Sequence, residues 1–276
     1  MATTIAVSGK GGSGKTTLAA LIVRALVGQS PQGEALDRIS AGCLPAKPAF
    51  GGAVLAVDAD PNSCLGVELG VEPVGTIAQI REQARSTSPS SGGMDRVRTF
   101  EYGMQQSITE ASGFDLLTMG RPEGPDCYCA VNNMLRTFLD KLTSQYQFVI
   151  IDNEAGMEHL SRRTTNNVDL LCIVAEPTPL GVLTTQRIFD LAKELPISVK
   201  EIGVIWNNTL PIENRKLKIE NCRLETFGGI PYDKAVLDAS MQGKTVFDID
   251  ENSPAFVAVR KILEKKLKIE SENVKP

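Results

Sequence analysis

The 276 residues carry 29 Lys and Arg against 33 Asp and Glu, a net charge of −4, with 42% hydrophobic residues. Such a chain can build a substantial core but offers no broad basic footprint for nucleic acid, and no apolar run reaches the roughly 18 residues of a membrane span. The N-terminus has no basic region leading into an apolar stretch, so no export signal is read, and the six cysteines are expected as reduced thiols in the cytoplasm.

Short apolar strands alternate with helical stretches along the chain. The expected strands are 4–8, 53–58, 114–119, 148–153, 169–176 and 201–207, and most are apolar on both faces. The expected helices lie at about 15–28, 76–84, 130–145, 180–194, 233–241 and 253–268. This alternation predicts an α/β fold, a mostly parallel central sheet covered by helices on both faces. No repeat or composition break divides the chain, so 1–276 reads as one domain. Two stretches depart from the pattern, a Gly-, Pro- and Ala-rich insertion at about 29–50 that carries Cys43, and the loop "STSPSSGG" at 86–93. A connection on the order of twenty residues is long where two to six are usual.

The first strand runs into "SGKGGSGKTT", residues 8–17, which satisfies G-x-x-x-x-G-K-[ST] through Gly9, Gly14, Lys15 and Thr16. With a strand before and a helix after, this is the phosphate loop of a P-loop NTPase. The backbone of Gly9, Lys10, Gly11, Gly12, Ser13 and Gly14 can point successive N–H groups at one anion, and the helix from Lys15 through Thr16 and Thr17 adds its positive end. Lys15 would neutralise the β- and γ-phosphates of ATP or ADP, and the Thr16 hydroxyl would hold Mg²⁺. "VDADPN" closes the second strand with Asp58 and Asp60, at the end of a parallel strand where ligands gather. "VIIDNEAG" puts Asp152 at the end of an apolar strand, the Walker B arrangement that holds Mg²⁺ through water.

Further on, "GPDCYC" sets Cys127 and Cys129 one residue apart. Thiolates suit Zn²⁺, Ni²⁺, Cu(I) and iron–sulfur clusters. Two sulfurs cannot complete a four-coordinate site, but a two-fold axis past the pair would give four. Cys172, in "LLCIVA", reads as core, and Cys64 and Cys222 read as packing residues.

Lys10, a second lysine inside the loop, makes "KGGSGKT" resemble the deviant Walker A loop of the MinD/ParA and nitrogenase-iron-protein ATPases. "GRPEGPDCYCAVNNMLR", "DNEAGMEHLSRRT" and "AVDADPN" narrow the resemblance to the CooC-type ATPases that mature nickel-containing carbon monoxide dehydrogenase, over nearly the whole chain. The resemblance implies an ATP-bound homodimer in which Lys10 reaches the partner's nucleotide. It implies Asp60 as the residue that orients the attacking water, Asp58 near the Mg²⁺ shell, and 153–163 as the segment that senses the γ-phosphate. His159, in that segment, reads as a surface residue rather than a metal ligand. Adenine would be read by Asn207, with the backbone at Pro231 and Asp233. Cys127 and Cys129 of two subunits would hold one Ni²⁺ or Zn²⁺, and carbon monoxide dehydrogenase would be the client.

Two rivals belong to the same class. An ATP-gated iron–sulfur reductase takes cluster cysteines from two loops, but no cysteine occurs between 130 and 171. A positioning ATPase of the MinD/ParA kind needs a basic surface or an amphipathic anchor. The candidate anchor, 256–269, carries Phe256, Val259, Leu263 and Leu267 as the stripe of an ordinary closing helix and is followed by acidic "ESENVKP". Neither a membrane nor a nucleic-acid partner is expected.

Overall fold

The computed structural model describes residues 2–27, 53–86, 102–121, 142, 145–155, 167–195, 197–209 and 224–267. The insertion at 29–50, the loop at 86–93 beyond residue 86, most of the helix expected at 130–145, Cys43, Cys127, Cys129, His159, Cys222 and the acidic tail lie outside the described residues.

Among the described residues an eight-stranded sheet runs in the order β3-β4-β2-β5-β1-β6-β7-β8. The strands are β1 (Thr3–Gly9), β2 (Val54–Ala59), β3 (Ile108–Glu110), β4 (Phe114–Thr118), β5 (Phe148–Asn153), β6 (Asn167–Ala175), β7 (Ser198–Thr209) and β8 (Glu225–Pro231). All neighbours pair in parallel except β3 and β4, which form an antiparallel edge. The mostly parallel α/β architecture is as the sequence reads. Each strand expected from the sequence is present, and β3 and β8 are additional.

The helices are α1 (Lys15–Val27), α2 (Leu65–Leu69), α3 (Ile77–Ser86), α4 (Pro179–Glu194), α5 (Lys234–Met241) and α6 (Pro254–Leu267), with a 3₁₀ turn at Val246–Asp248. Because successive strand side chains point to opposite faces, Ile5 and Val7 enter one core while Ala6 enters the other. The first core packs α1 and α6 against the sheet through Leu18, Leu21, Ile22, Phe256, Val259 and Leu263. The second gathers Ile77, Ile80, Ile188 and Ala192 over Leu55, Ile151 and Leu171. The stripe on α6 is therefore core, as expected of a closing helix. Arg24 is buried with it, donating to the Val246 carbonyl at 2.7 Å and lying 4.0 Å over the Phe256 ring. Burial lowers its pKa, and the charges of Glu251, Asp250 and Asp248 oppose that fall.

α4 starts where local chemistry dictates. Thr178 accepts from the Gly181 amide at 3.0 Å, and Pro179 occupies the first helical position, where no N–H is needed. Among the described residues no helix is long and apolar enough to cross a membrane.

Candidate nucleotide site

Parallel pairing brings the carboxyl ends of β1, β2, β5 and β7 to one edge of the sheet, and the functional residues collect there. β1 ends at Gly9, whose φ is 156° and where a Cβ would fall on the Val174 carbonyl of β6. The loop then closes on itself, with the Ser13 amide donating to the Lys10 carbonyl at 3.2 Å and the Leu18 amide to the Gly14 carbonyl at 2.9 Å. Lys15, 7% exposed, turns back so that its ammonium donates to the same Lys10 carbonyl at 3.3 Å. Lys10, Gly11 and Gly12 are exposed, while Ser13 is buried and Thr16 and Thr17 are half-buried. One lysine is thus folded into the loop and the other held out from it. The arrangement can cradle a phosphate while leaving Lys10 available to something outside the chain.

Beside the loop, Asp58 and Asp152 are paired in the β2–β5 register, and Asp152 is paired with Val7 of β1. Asp58 is satisfied, since its carboxylate accepts from the Asp60 amide at 3.2 Å and the Leu65 amide at 2.9 Å. Burial nevertheless pushes its pKa up to about 6. Asp152 is fully buried, and neither carboxylate oxygen has a hydrogen-bond partner among the described residues. Burial pushes it up to about 7; Asp58 adds to the rise, while the nearby Thr16 hydroxyl and Lys15 ammonium oppose it. A carboxylate oriented by its strand and left without donors is suited to a hydrated cation, and Thr16 stands at hand to complete it. The residues present therefore fit Mg²⁺. Among the described residues no cluster of three or more His, Cys, Asp and Glu side chains is arranged to hold a metal directly.

Asp60 lies further out on the same turn. Its carboxylate accepts from the Asn62 amide at 2.8 Å and side chain at 2.9 Å, and its carbonyl from the Ser63 amide at 2.9 Å. It is half-buried at the rim of the site. Cys64, expected as packing, is exposed next to this turn, its thiol 3.6 Å from the Asn62 carbonyl. Partial burial and the surrounding carboxylates raise its pKa. Cys172 is buried in the core as the sequence reads.

The residues expected to read adenine do different things. Asn207, at the end of β7, donates from its side chain to the Ser13 carbonyl of the phosphate loop at 2.9 Å. Pro231 closes β8 opposite Thr209. Asp233 caps two helices, one oxygen accepting from Ala235 in α5 at 2.9 Å, the other from the Ala255 amide of α6 at 3.1 Å and the Ser253 hydroxyl.

Two further residues join the site, Asn153 at the start of the expected γ-phosphate sensor and Glu68, which had no sequence signal of its own. Asn153 closes β5, buried and donating to the Val7 carbonyl at 2.9 Å. Residues 156–163 of that sensor lie outside the described residues. Glu68 of α2 accepts from the Thr17 hydroxyl at 3.5 Å, with burial raising its pKa and Thr17 opposing the rise.

No family model matches the chain. An uncharacterised ATP-binding protein of Methanocaldococcus jannaschii is 36% identical over 269 residues, spanning 95% of this chain and 97% of that protein. The carbon monoxide dehydrogenase accessory protein CooC of Rhodospirillum rubrum is 30% identical over 264 residues, spanning 91% of this chain and 90% of that protein. Among solved structures, the MinC:MinD cell division protein complex of Aquifex aeolicus provides a chain that superposes with a TM-score of 0.66 at 19% identity, over 100% of this chain and 99% of that one. The ParA family ATPase of Chlorobium tepidum gives 0.63 at 19% identity, over 94% and 96%. The septum site-determining protein MinD of Pyrococcus horikoshii, complexed with Mg-ADP, gives 0.60 at 20% identity, over 96% of each. With its lysine-rich phosphate loop, its buried aspartate at the end of β5 and kinship over nearly its full length, the chain belongs to the CooC family of P-loop ATPases, built on the fold of MinD and ParA.

Proposed function

We propose that the protein is an ATP-hydrolysing metallochaperone that works as a homodimer and assists nickel insertion into carbon monoxide dehydrogenase. The observation that carries the ATPase chemistry is the buried Asp152 carboxylate without donors beside a loop that has drawn Lys15 into itself. The client is supported by kinship with CooC, whose name makes it an accessory protein of that enzyme.

In this reading the loop amides from Gly9 to Gly14 and the Lys15 ammonium bind the β- and γ-phosphates. Thr16 and Asp152 hold Mg²⁺, with Asp58 behind them. Mg²⁺, when bound, offsets phosphate charge as the terminal P–O bond breaks. Asp60, at the rim, orients the attacking water and accepts its proton. Lys10 reaches from one subunit to the nucleotide of the other, so the site is complete only in the dimer. Asn207 and the backbone at Pro231 and Asp233 meet the base. Cys127 and Cys129 of both subunits hold the cargo ion, Ni²⁺ or Zn²⁺, as four thiolates, and nucleotide turnover opens and closes the face on which they sit.

The test uses purified full-length protein, nickel-free carbon monoxide dehydrogenase, Ni²⁺ and Mg-ATP. Activation of the enzyme should need the protein, the metal and hydrolysable ATP together. Equal activation with a non-hydrolysable analogue, or without the protein, refutes the reading.

A further inference from the structure

β7 does not run straight to its end. It pairs Trp206 with Gly229 and then Thr209 with Pro231, so Asn207 and Asn208 stand opposite the single residue Ile230. This is a β-bulge, a device that re-aims side chains beside functional sites. Asn208 takes the left-handed turn of the bulge at φ 55°, a conformation Asn tolerates better than most residues, and its side chain donates to the Glu176 carboxylate just beyond β6 at 3.3 Å. The bulge leaves Asn207 turned to the phosphate loop, where its amide donates to the Ser13 carbonyl at 2.9 Å. The fit is close enough that a Cβ at Gly14 would fall on the Asn207 amide nitrogen. From Ser13 the contacts continue inward, since the Ser13 amide and the Lys15 ammonium both bond to the Lys10 carbonyl.

The geometry points to Asn207 as a positioning residue that braces the phosphate loop, so that the shape of the phosphate cradle is set from the end of β7. The inference rests on the reading that this loop binds the phosphates of ATP. An Asn amide has two hydrogens and one acceptor oxygen. With one hydrogen committed to Ser13, the plane of the amide is fixed, and its oxygen and second hydrogen remain for the edge of a base. One side chain then serves both ends of the nucleotide, and its loss weakens phosphate binding even when no base is present.

The experiment compares wild type with Asn207→Ala and Asn207→Leu, the latter near-isosteric but without a donor, by calorimetric titration. The ligands are Mg-ATP, Mg-tripolyphosphate, and the Mg complex of ribose 5-triphosphate, which carries no base. Thermal melts of the ligand-free proteins report folding separately. The brace requires both variants to bind tripolyphosphate roughly five- to tenfold more weakly, while their melts stay cooperative and fall by no more than the few degrees that one lost hydrogen bond costs. Where tripolyphosphate binds below detection, ribose 5-triphosphate must show the same loss. Unchanged affinity for these two ligands, with only ATP weakened, makes Asn207 a base reader and overturns the inference. A wild type that binds neither ATP nor tripolyphosphate removes the nucleotide reading beneath it.

Discussion

Asp58 and Asp152 stand opposite one another in the parallel ladder of β2 and β5, both fully buried, yet among the described residues only Asp58 has geometric hydrogen-bond partners. Two carboxylates in one low-dielectric row resist ionising together, and burial raises both, Asp58 from 3.8 to about 6 and Asp152 from 3.8 to about 7. Without a cation the site is therefore a cost to the fold that grows as protons leave.

The direction follows from linkage. In the folded, metal-free protein these groups hold protons that the unfolded chain releases near 3.8. Their contribution to stability is fully present below that value and is lost as pH rises through about 6 and then about 7. Chemical denaturation of metal-free protein at about pH 5 and about pH 8 should show this fall, on the order of one to a few kcal/mol. Asp152→Asn removes the larger titration, so the variant should lose less across the window and exceed wild type at the higher pH. An identical slope in the two proteins contradicts the assignment.

Lys15→Ala and Asp60→Ala should separate binding from turnover. Lys15 is the buried cation of the loop, and losing a charge-assisted contact should weaken Mg-ATP binding about tenfold to a hundredfold. Among the described residues Asp60 makes its bonds within its own turn, so its removal should leave affinity within about threefold while cutting turnover by about a hundredfold or more. Equilibrium binding and single-turnover hydrolysis decide the matter, and full turnover in either variant removes the assigned role.

Lys10 is exposed, whereas Lys15 is folded into the loop with its ammonium on the Lys10 carbonyl. Lys10→Ala should bind ATP nearly as wild type but dimerise poorly with it and hydrolyse it slowly. Analytical ultracentrifugation with a non-hydrolysable analogue reads the first effect. Normal dimerisation together with normal turnover shows that the lysine does not act on a partner.

Asp233 offers a prediction about stability. Its two oxygens cap the starts of α5 and α6, and one such cap is worth about 1 kcal/mol. Asp233→Ala should cost roughly 2 kcal/mol in denaturant unfolding. Since its carboxylate is taken up by these caps and only its backbone is proposed to meet the base, ATP affinity of the folded variant should change less than about twofold. A stable variant with weakened ATP binding reverses those roles.

The parts legible in the sequence were those whose signal is local. "FVIIDN" is apolar because β5 is covered on both faces, and the loop and Asp152 announce themselves by spacing within a few residues. β8 escaped because "ETFGGIP" carries glycine where the Ile262 side chain of α6 lies against the strand, which removes the alternation a strand usually shows. β3 has only three residues, and α2 starts at Cys64 with no side-chain cap to mark it. The Asn207–Ser13 bond joins residues 194 apart. No local pattern could carry it, and the sequence pointed only to a base reader at that position.

In the sequence Cys127 and Cys129 follow β4, which ends at Thr118. Asp58 pairs with Thr118 in the β2–β4 ladder, so β4 ends at the same edge of the sheet that carries the phosphate loop. Two thiolates per chain and one two-fold axis give one four-coordinate ion per dimer. Binding should release protons, because each thiol must ionise to coordinate, so affinity should fall as pH drops. Nickel bound to thiolates should show charge-transfer absorption, whereas zinc should be colourless. Changing both cysteines to Ser should abolish the ion and client activation while leaving ATP affinity within about twofold, since the phosphate loop supplies its own donors. Elemental analysis per chain, with oligomeric state measured on the same samples, checks each step. One ion per monomer, or an ion retained by the double variant, excludes the shared site.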